Sequence, residues 1–217
     1  KTYTSSQSKY DVPKLSNGPP ISGFSGSGKS SLAQYLVLTA YKGCFARIYL
    51  LSSTAFSDVA NWGPVRKYIY KPCSEGGMGV PTEEECFFDD WQEGAHLTRI
   101  LDEAKAITDW IKGRPNRNEL FNTLVIVDDW ASNARAMKGA GSEALQRAYL
   151  AGRYANVSIW CLTQRFRNIH QAVRSGSIPF FFRPLSSVEE DAICEEYGAA
   201  AGRCRGARAG ALHRPSG

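Results

Sequence analysis

Residues Gly23-Phe24-Ser25-Gly26-Ser27-Gly28-Lys29-Ser30 satisfy the pattern G-x-x-x-x-G-K-[ST] at every fixed position and run directly into an apolar stretch at helical spacing. A triphosphate packs several negative charges into a small volume. A loop that holds one must converge its backbone N–H groups with no side chains in the way, which glycine permits. The N-terminus of the following helix adds its positive dipole end. The expected contacts are Gly23, Ser25, Gly26, Ser27, Gly28, Lys29, Ser30 and Ser31, with Lys29 reaching the β- and γ-phosphates and the Ser30 hydroxyl ligating magnesium. ATP and Mg2+ are thus the expected cofactors. The other reading, a Gly/Ser linker that matches by chance, is disfavoured by the helix behind it.

The flanking segments place this loop in a layered α/β domain. Leu32, Tyr35, Leu36 and Leu38 give a helix from Lys29 to about Tyr41, with Gly43 as its stop. Ala46 to Leu51, Leu124 to Val127, Val157 to Leu162 and Ile178 to Phe182 are short, continuous apolar runs of the kind buried on both faces of a sheet. Helices are expected from Leu97 to Ile111 and from about Ser142 to Tyr154. Ser187 with Glu190 reads as a capping box that opens a further helix through Tyr197. Lys71 to Asp90 reads as a loop-rich insertion. Strands alternating with helices predict a mostly parallel sheet with helices on both faces. At 217 residues the chain has room for one such domain. The predicted organisation is a polar lead-in over 1–18, the nucleotide-binding domain over 19–202 and a basic tail over 203–217. One feature dissents: Pro19 and Pro20 precede the phosphate loop, and proline donates nothing to a strand ladder, so the first strand is expected to be short or damaged.

Two strand ends carry further chemistry. Leu124-Val125-Ile126-Val127 runs into Asp128-Asp129, and strand C-termini in parallel sheets face the ligand crevice. Asp128 is expected to hold the magnesium shell and Asp129 to orient the attacking water, because γ-phosphoryl transfer depends on positioning more than on covalent chemistry. Val157 to Leu162 ends in Thr163-Gln164, and a neutral amide at Gln164 can hydrogen-bond the γ-phosphate or the water. Arg153 and Arg174 are the candidates for stabilising charge on the transferring phosphoryl group.

The formal charge of +5 is uneven: Arg203, Arg205, Arg208 and Arg214 lie in a tail without acids, leaving the body nearly neutral. Net charge is therefore no argument for a DNA partner, and the tail reads as a solvated Ala/Gly/Arg segment. The six cysteines show no Cys-x-x-Cys pairing and read as reduced thiols in an intracellular protein. Cys73 and Cys86 flank a Gly-rich, acidic stretch but are not expected to share a metal. No apolar run approaches the ~20 residues that cross a bilayer, so a soluble chain with no membrane partner is expected.

Taken together, Gly152-Arg153-Tyr154, Ser158-Ile159, Thr163-Gln164-Arg165-Phe166-Arg167, Val173-Arg174, Phe180-Phe181-Phe182 and the Asp128-Asp129 pair resemble the poxvirus-type virion DNA-packaging ATPases of the FtsK/HerA superfamily of P-loop NTPases. The resemblance spans most of Gly23 to Tyr197. It implies a RecA-like core acting as a homo-oligomeric ring, hexamer or pentamer, with ATP at subunit interfaces and an arginine given in trans. Double-stranded DNA and capsid proteins are the implied partners, and the host cell, its viral factory or the virion the implied location. On that resemblance Arg153 and Arg174 are trans-acting or sensor arginines, Gln164 is the sensor, and Asp129 stands where many relatives carry glutamate. The loop from Ala131 to Gly141, with Arg135 and Lys138, is then offered as DNA-facing, a plain solvated loop being the equal alternative. Rival readings are a small-molecule kinase, which lacks an arginine-rich lid here; a GTPase, which lacks its Asn-Lys-x-Asp base reader; a cellular DNA pump of the same superfamily; and a nucleotide-binding relic without turnover.

Overall fold

The apolar runs over 46–51, 124–127 and 157–162 become inner strands of a parallel sheet, whereas the fourth, expected to be buried on both faces, gives the half-buried edge strand Phe180–Phe181. The structure, a computed structural model, describes residues 20–82, 84–114, 121–130, 139–174, 180–182 and 185–197. In chain order the elements are β1 (Ile21–Ser22), α1 (Lys29–Leu38), β2 (Arg47–Ser52), α2 (Val59–Tyr70), β3 (Phe87–Phe88), α3 (Ala95–Lys112), β4 (Thr123–Asp128), α4 (Ala140–Ala151), β5 (Val157–Thr163), α5 (Gln171–Arg174), β6 (Phe180–Phe181) and α6 (Ser187–Tyr197). The strand order is β3-β2-β4-β5-β1-β6 and every pairing is parallel. Parallel strands need crossovers, and right-handed ones put α1 and α2, which pack together, on one face and the contacting α3 and α4 on the other. With helices on both sides, β4 and β5 are buried at every residue.

β1 resolves the question raised by the prolines. It is only two residues long, yet both are buried and it pairs with β5 on one side and β6 on the other. Pro20 cannot donate, but its carbonyl accepts the Phe180 N–H at 2.8 Å, so the ladder extends one residue beyond the strand. The strand is short and not damaged.

Four boundaries differ from expectation, each for a local reason. α1 stops at Leu38, short of Tyr41: Thr39 leaves helical geometry (φ −125°, ψ −78°) and its hydroxyl donates back to the Tyr35 carbonyl. Past it, Tyr41 and Phe45 pack edge-on against the fully buried Trp160 of β5, with centroids at 5.3 and 6.3 Å. The second long helix spans 140–151 and then tightens into a 3-10 turn, Gly152–Ala155. α6 is capped by Ser186, whose Oγ accepts from the Glu189 N–H, in place of the expected Ser187. The insertion over 71–90 contains β3, whose Phe87 and Phe88 are buried at the sheet edge opposite Leu50 and Leu51. Two residues are too few for any alternation to show, and the segment is tied to β2 by the Arg47–Glu84 ion pair at 2.7 Å.

α2 had no sequence signature because Gly63 and Pro64 interrupt it. Asp58 nonetheless caps it, accepting from the Asn61 N–H at 3.2 Å, and Trp62, Val65 and Ile69 bury one face at helical spacing. The five cysteines among the described residues are free thiols, and no group of metal-ligating side chains occurs there; Cys73 is exposed and Cys86 buried. Also among the described residues, no helix is long and apolar enough to cross a membrane.

Because β4 lies in the middle of the sheet, with Ile126 wholly buried, its packing sets the stability of the domain. Ile126→Ala should cost about 2–5 kcal/mol. Chemical unfolding of the ligand-free protein should show this as a lower midpoint with unchanged slope; a midpoint within error of wild type would mean that β4 does not anchor the core.

Candidate nucleotide-binding site

Strand register assembles the site. Ser52 lies opposite Asp128, Asp128 opposite Leu162, and Leu162 opposite Ile21. The residues just past this row are therefore neighbours in space: Asp129 after β4, Gln164 after β5 and Gly23 after β1. Backbone bonds carry the alignment beyond the strands, since Asp129 N–H donates to Leu162 O at 3.0 Å and Gly23 N–H to Thr163 O at 3.2 Å.

From Gly23 the chain turns through the phosphate loop into α1. Gly28 is the N-cap at φ 94°, in the left-handed region where a side chain is strained. Gly23 is required for a different reason: a Cβ there would stand 2.7 Å from both Phe182 Cβ and Ser27 Oγ. α1 has no side-chain cap and no acid in its first turn, so its N-terminus faces the loop with unneutralised dipole. The Ser27 hydroxyl is buried with no hydrogen-bond partner. Lys29 is buried, and its Nζ donates to the carbonyls of Gly23 at 2.9 Å and Phe24 at 2.8 Å.

Opposite the loop stand the two acids. Asp128 is buried and its Oδ2 accepts from Ser52 Oγ at 3.0 Å. Burial pushes its carboxyl up to about 6, helped by the like charge of Asp129; the Ser52 hydrogen bond and the Lys29 charge act the other way. Burial likewise pulls the Lys29 ammonium down, and Asp129 and Asp128 oppose that. Lysine and carboxylates thus sense one another across the crevice. Asp129 adopts φ 60°, a rare conformation for a residue with a side chain, and both its carboxylate oxygens accept from Gln164 Nε2, at 3.3 and 3.1 Å.

These residues fit a metal-bound triphosphate. An orphaned buried hydroxyl, a cationic Nζ held only by carbonyls, an open helix N-terminus and a buried carboxylate that resists ionisation all lack what a polyphosphate with a divalent cation would provide.

Not every expected residue joins the group. Lys29, Asp128, Asp129, Gln164 and the loop come together. Arg153 does not: it is exposed in the turn before β5, its guanidinium stacked at 4.6 Å on Tyr154 and donating to that hydroxyl at 2.6 Å. That turn is at the amino end of β5, and seven residues of strand separate it by roughly 20 Å from the crevice. Arg174 has its guanidinium 5.4 Å from the Phe166 ring, and its carbonyl accepts from Tyr197 OH at 2.7 Å. Arg135, Lys138, the lead-in and the basic tail lie outside the described residues.

Three contributors were not anticipated. Ser52, read from sequence only as the end of a strand, holds Asp128. Asn61 accepts from Ser31 Oγ at 2.9 Å, joining α2 to the first turn of α1. Glu189, buried on α6, accepts the Phe166 N–H at 2.9 Å and so pins the segment that follows Gln164. All three are contacts between residues distant in the chain, which no local sequence pattern marks.

No protein-family model and no curated protein matches the chain in sequence. Solved structures do match in fold. The DNA-packaging ATPase B204 from Sulfolobus turreted icosahedral virus is 15% identical with a TM-score of 0.59, over 87% of this chain and 86% of that one. The cytoplasmic domain of EssC is 15% identical with a TM-score of 0.62, over 85% of this chain but 36% of the EssC chain. The pCW3 conjugation coupling protein TcpA, solved with ATPγS, is 14% identical with a TM-score of 0.56, over 82% of this chain and 52% of that chain. A viral DNA-packaging ATPase is thus among the structures this chain resembles in three dimensions, as its motifs anticipated, and the domain has the RecA-like P-loop ATPase fold.

Proposed function

We propose that this chain is the ATP-hydrolysing subunit of a motor that moves double-stranded DNA, packaging a viral genome into a capsid. The carrying observation is the convergence of the phosphate loop and Lys29 with the Asp128, Asp129 and Gln164 cluster at the ends of three adjacent strands. The fold shared with a DNA-packaging ATPase and a conjugation coupling protein supports DNA as the substrate.

In this reading Lys29 leaves the Gly23 and Phe24 carbonyls for the β- and γ-phosphates, and Ser27 finds its missing acceptor there. Ser30 and Asp128 would hold Mg2+, which would supply charge neutralisation to the phosphates. Ser52 fixes the Asp128 carboxylate so that one oxygen faces the crevice. Asp129 accepts the proton hydrogen bond of the attacking water, and Gln164, already bonded to Asp129, couples that carboxylate to the γ-phosphate position. Arg153 is too far from its own loop to serve it, so its role is in trans across a subunit interface of a homo-oligomeric ring. The relic reading loses one support, because β1 is intact and doubly paired.

ATP turnover measured with and without duplex DNA tests the whole reading. DNA stimulation supports the motor, phosphate transfer to a small acceptor instead makes the chain a kinase, and binding without turnover makes it a relic. Lys29→Ala should lower turnover roughly a hundredfold or more, and wild-type activity in that variant removes the loop assignment. Asp129→Asn should keep ATP affinity while slowing hydrolysis by about two to four orders of magnitude; an unchanged rate would mean that another group orients the water. Arg153→Ala should lose on the order of a thousandfold in rate. Mixed rings with Lys29→Ala subunits should recover activity, because some interfaces then join an intact loop to an intact arginine, and absence of recovery argues against a trans role.

A further inference from the structure

The row of residues past the strand ends has a polar end and an aromatic end. On the β5 side of Gly23 stand Gln164 and Asp129. On the β6 side stands Phe182, whose N–H donates to Ser22 O at 2.9 Å. Phe182 lies along the phosphate loop itself: its Cβ is 2.7 Å from the place a Cβ on Gly23 would take, and its Cε1 is 3.9 Å from the corresponding place on Gly28. The ring therefore runs from the first glycine of the loop toward the last, half-buried, with part of its surface open. Glycine at position 23 leaves room for the stem of this side chain, since the Phe182 Cβ stands where a larger residue would collide.

A bound triphosphate has a direction. Its γ-phosphate belongs beside Lys29 and the two acids, and Asp128 and Asp129 stand at the end of β4, on the β5 side of β1. A phosphate chain that runs from there across the loop would bring the nucleoside out on the opposite side, over β6. Phe182 stands on that side. Flat π surfaces stack on nucleobases largely without regard to base identity.

We infer that Phe182 is the nucleobase platform of this site, a stacking surface for the base of the bound nucleoside triphosphate. The inference rests on the phosphate-loop reading above and deepens it by assigning the end of the ligand that the loop motif leaves unspecified. Because stacking reads flatness and not a hydrogen-bond pattern, this contact adds affinity for the nucleoside without contributing to the phosphates.

Equilibrium binding of Mg-ATP and of base-free magnesium tripolyphosphate to the full chain tests it, using wild type, Phe182→Leu, Phe182→Tyr and Lys29→Ala. Leucine keeps the Cβ and the apolar packing against the loop but has no aromatic face. Phe182→Leu should weaken ATP binding roughly tenfold or more and leave tripolyphosphate binding unchanged, while Phe182→Tyr should bind both like wild type. Wild-type ATP affinity in Phe182→Leu overturns the platform, and so does a parallel loss of ATP and tripolyphosphate, which would make the ring a prop for the loop. Lys29→Ala should lose both ligands. If it keeps both, the phosphate cradle is wrong, an outcome separate from a failure confined to Phe182.

Discussion

Asp128 faces Ser52 across two parallel strands, and the 3.0 Å hydrogen bond between them is the visible end of a register that runs through the whole sheet. A slip of one residue would turn every side chain toward the opposite helix layer, where it no longer fits its neighbours, so the close packing of β2, β4 and β5 between the two layers holds that register. The site exists because the core is right. Four strands ending in step bring a serine, an acid pair, an amide and a glycine loop into one crevice.

That crevice is electrostatically unfinished. Burial opposes the charge on both Asp128 and Lys29, while each favours the charge on the other. In a low-dielectric setting such groups gain far more from a metal and a phosphate chain than the same groups would in water. The buried, unpartnered Ser27 hydroxyl and the uncapped helix N-terminus point the same way. The left-handed backbone of Asp129 is a local cost, and its place between β4 and the Gln164 amide explains why the fold retains it.

The surroundings of the site are arranged to hold its parts from outside. Glu189 on α6 secures the segment after Gln164, Asn61 on α2 touches Ser31, and Phe182 lies beside the loop on the β6 side. α2 and α6 are far apart in the chain. Arg153 stands apart at the other end of β5, its guanidinium stacked on Tyr154.

By itself the sequence determined the parts whose chemistry is local. Gly23 to Ser30 reads as a phosphate loop because its glycines and lysine are adjacent in the chain. The runs ending in Asp128-Asp129 and Gln164 announced buried strands because both faces of an inner parallel strand must be apolar. Tertiary structure decided what depends on residues far apart in the chain. A two-residue edge strand such as β3 is too short for a pattern, and Gly63-Pro64 masked α2 although its capping and buried face hold it. Ser52, Glu189 and Phe182 look like ordinary strand-end, helix and core residues until the fold sets Ser52 against Asp128, Glu189 against Phe166 and Phe182 beside the loop. Hydrophobic periodicity records which side of an element is buried; only the fold decides what it is buried against.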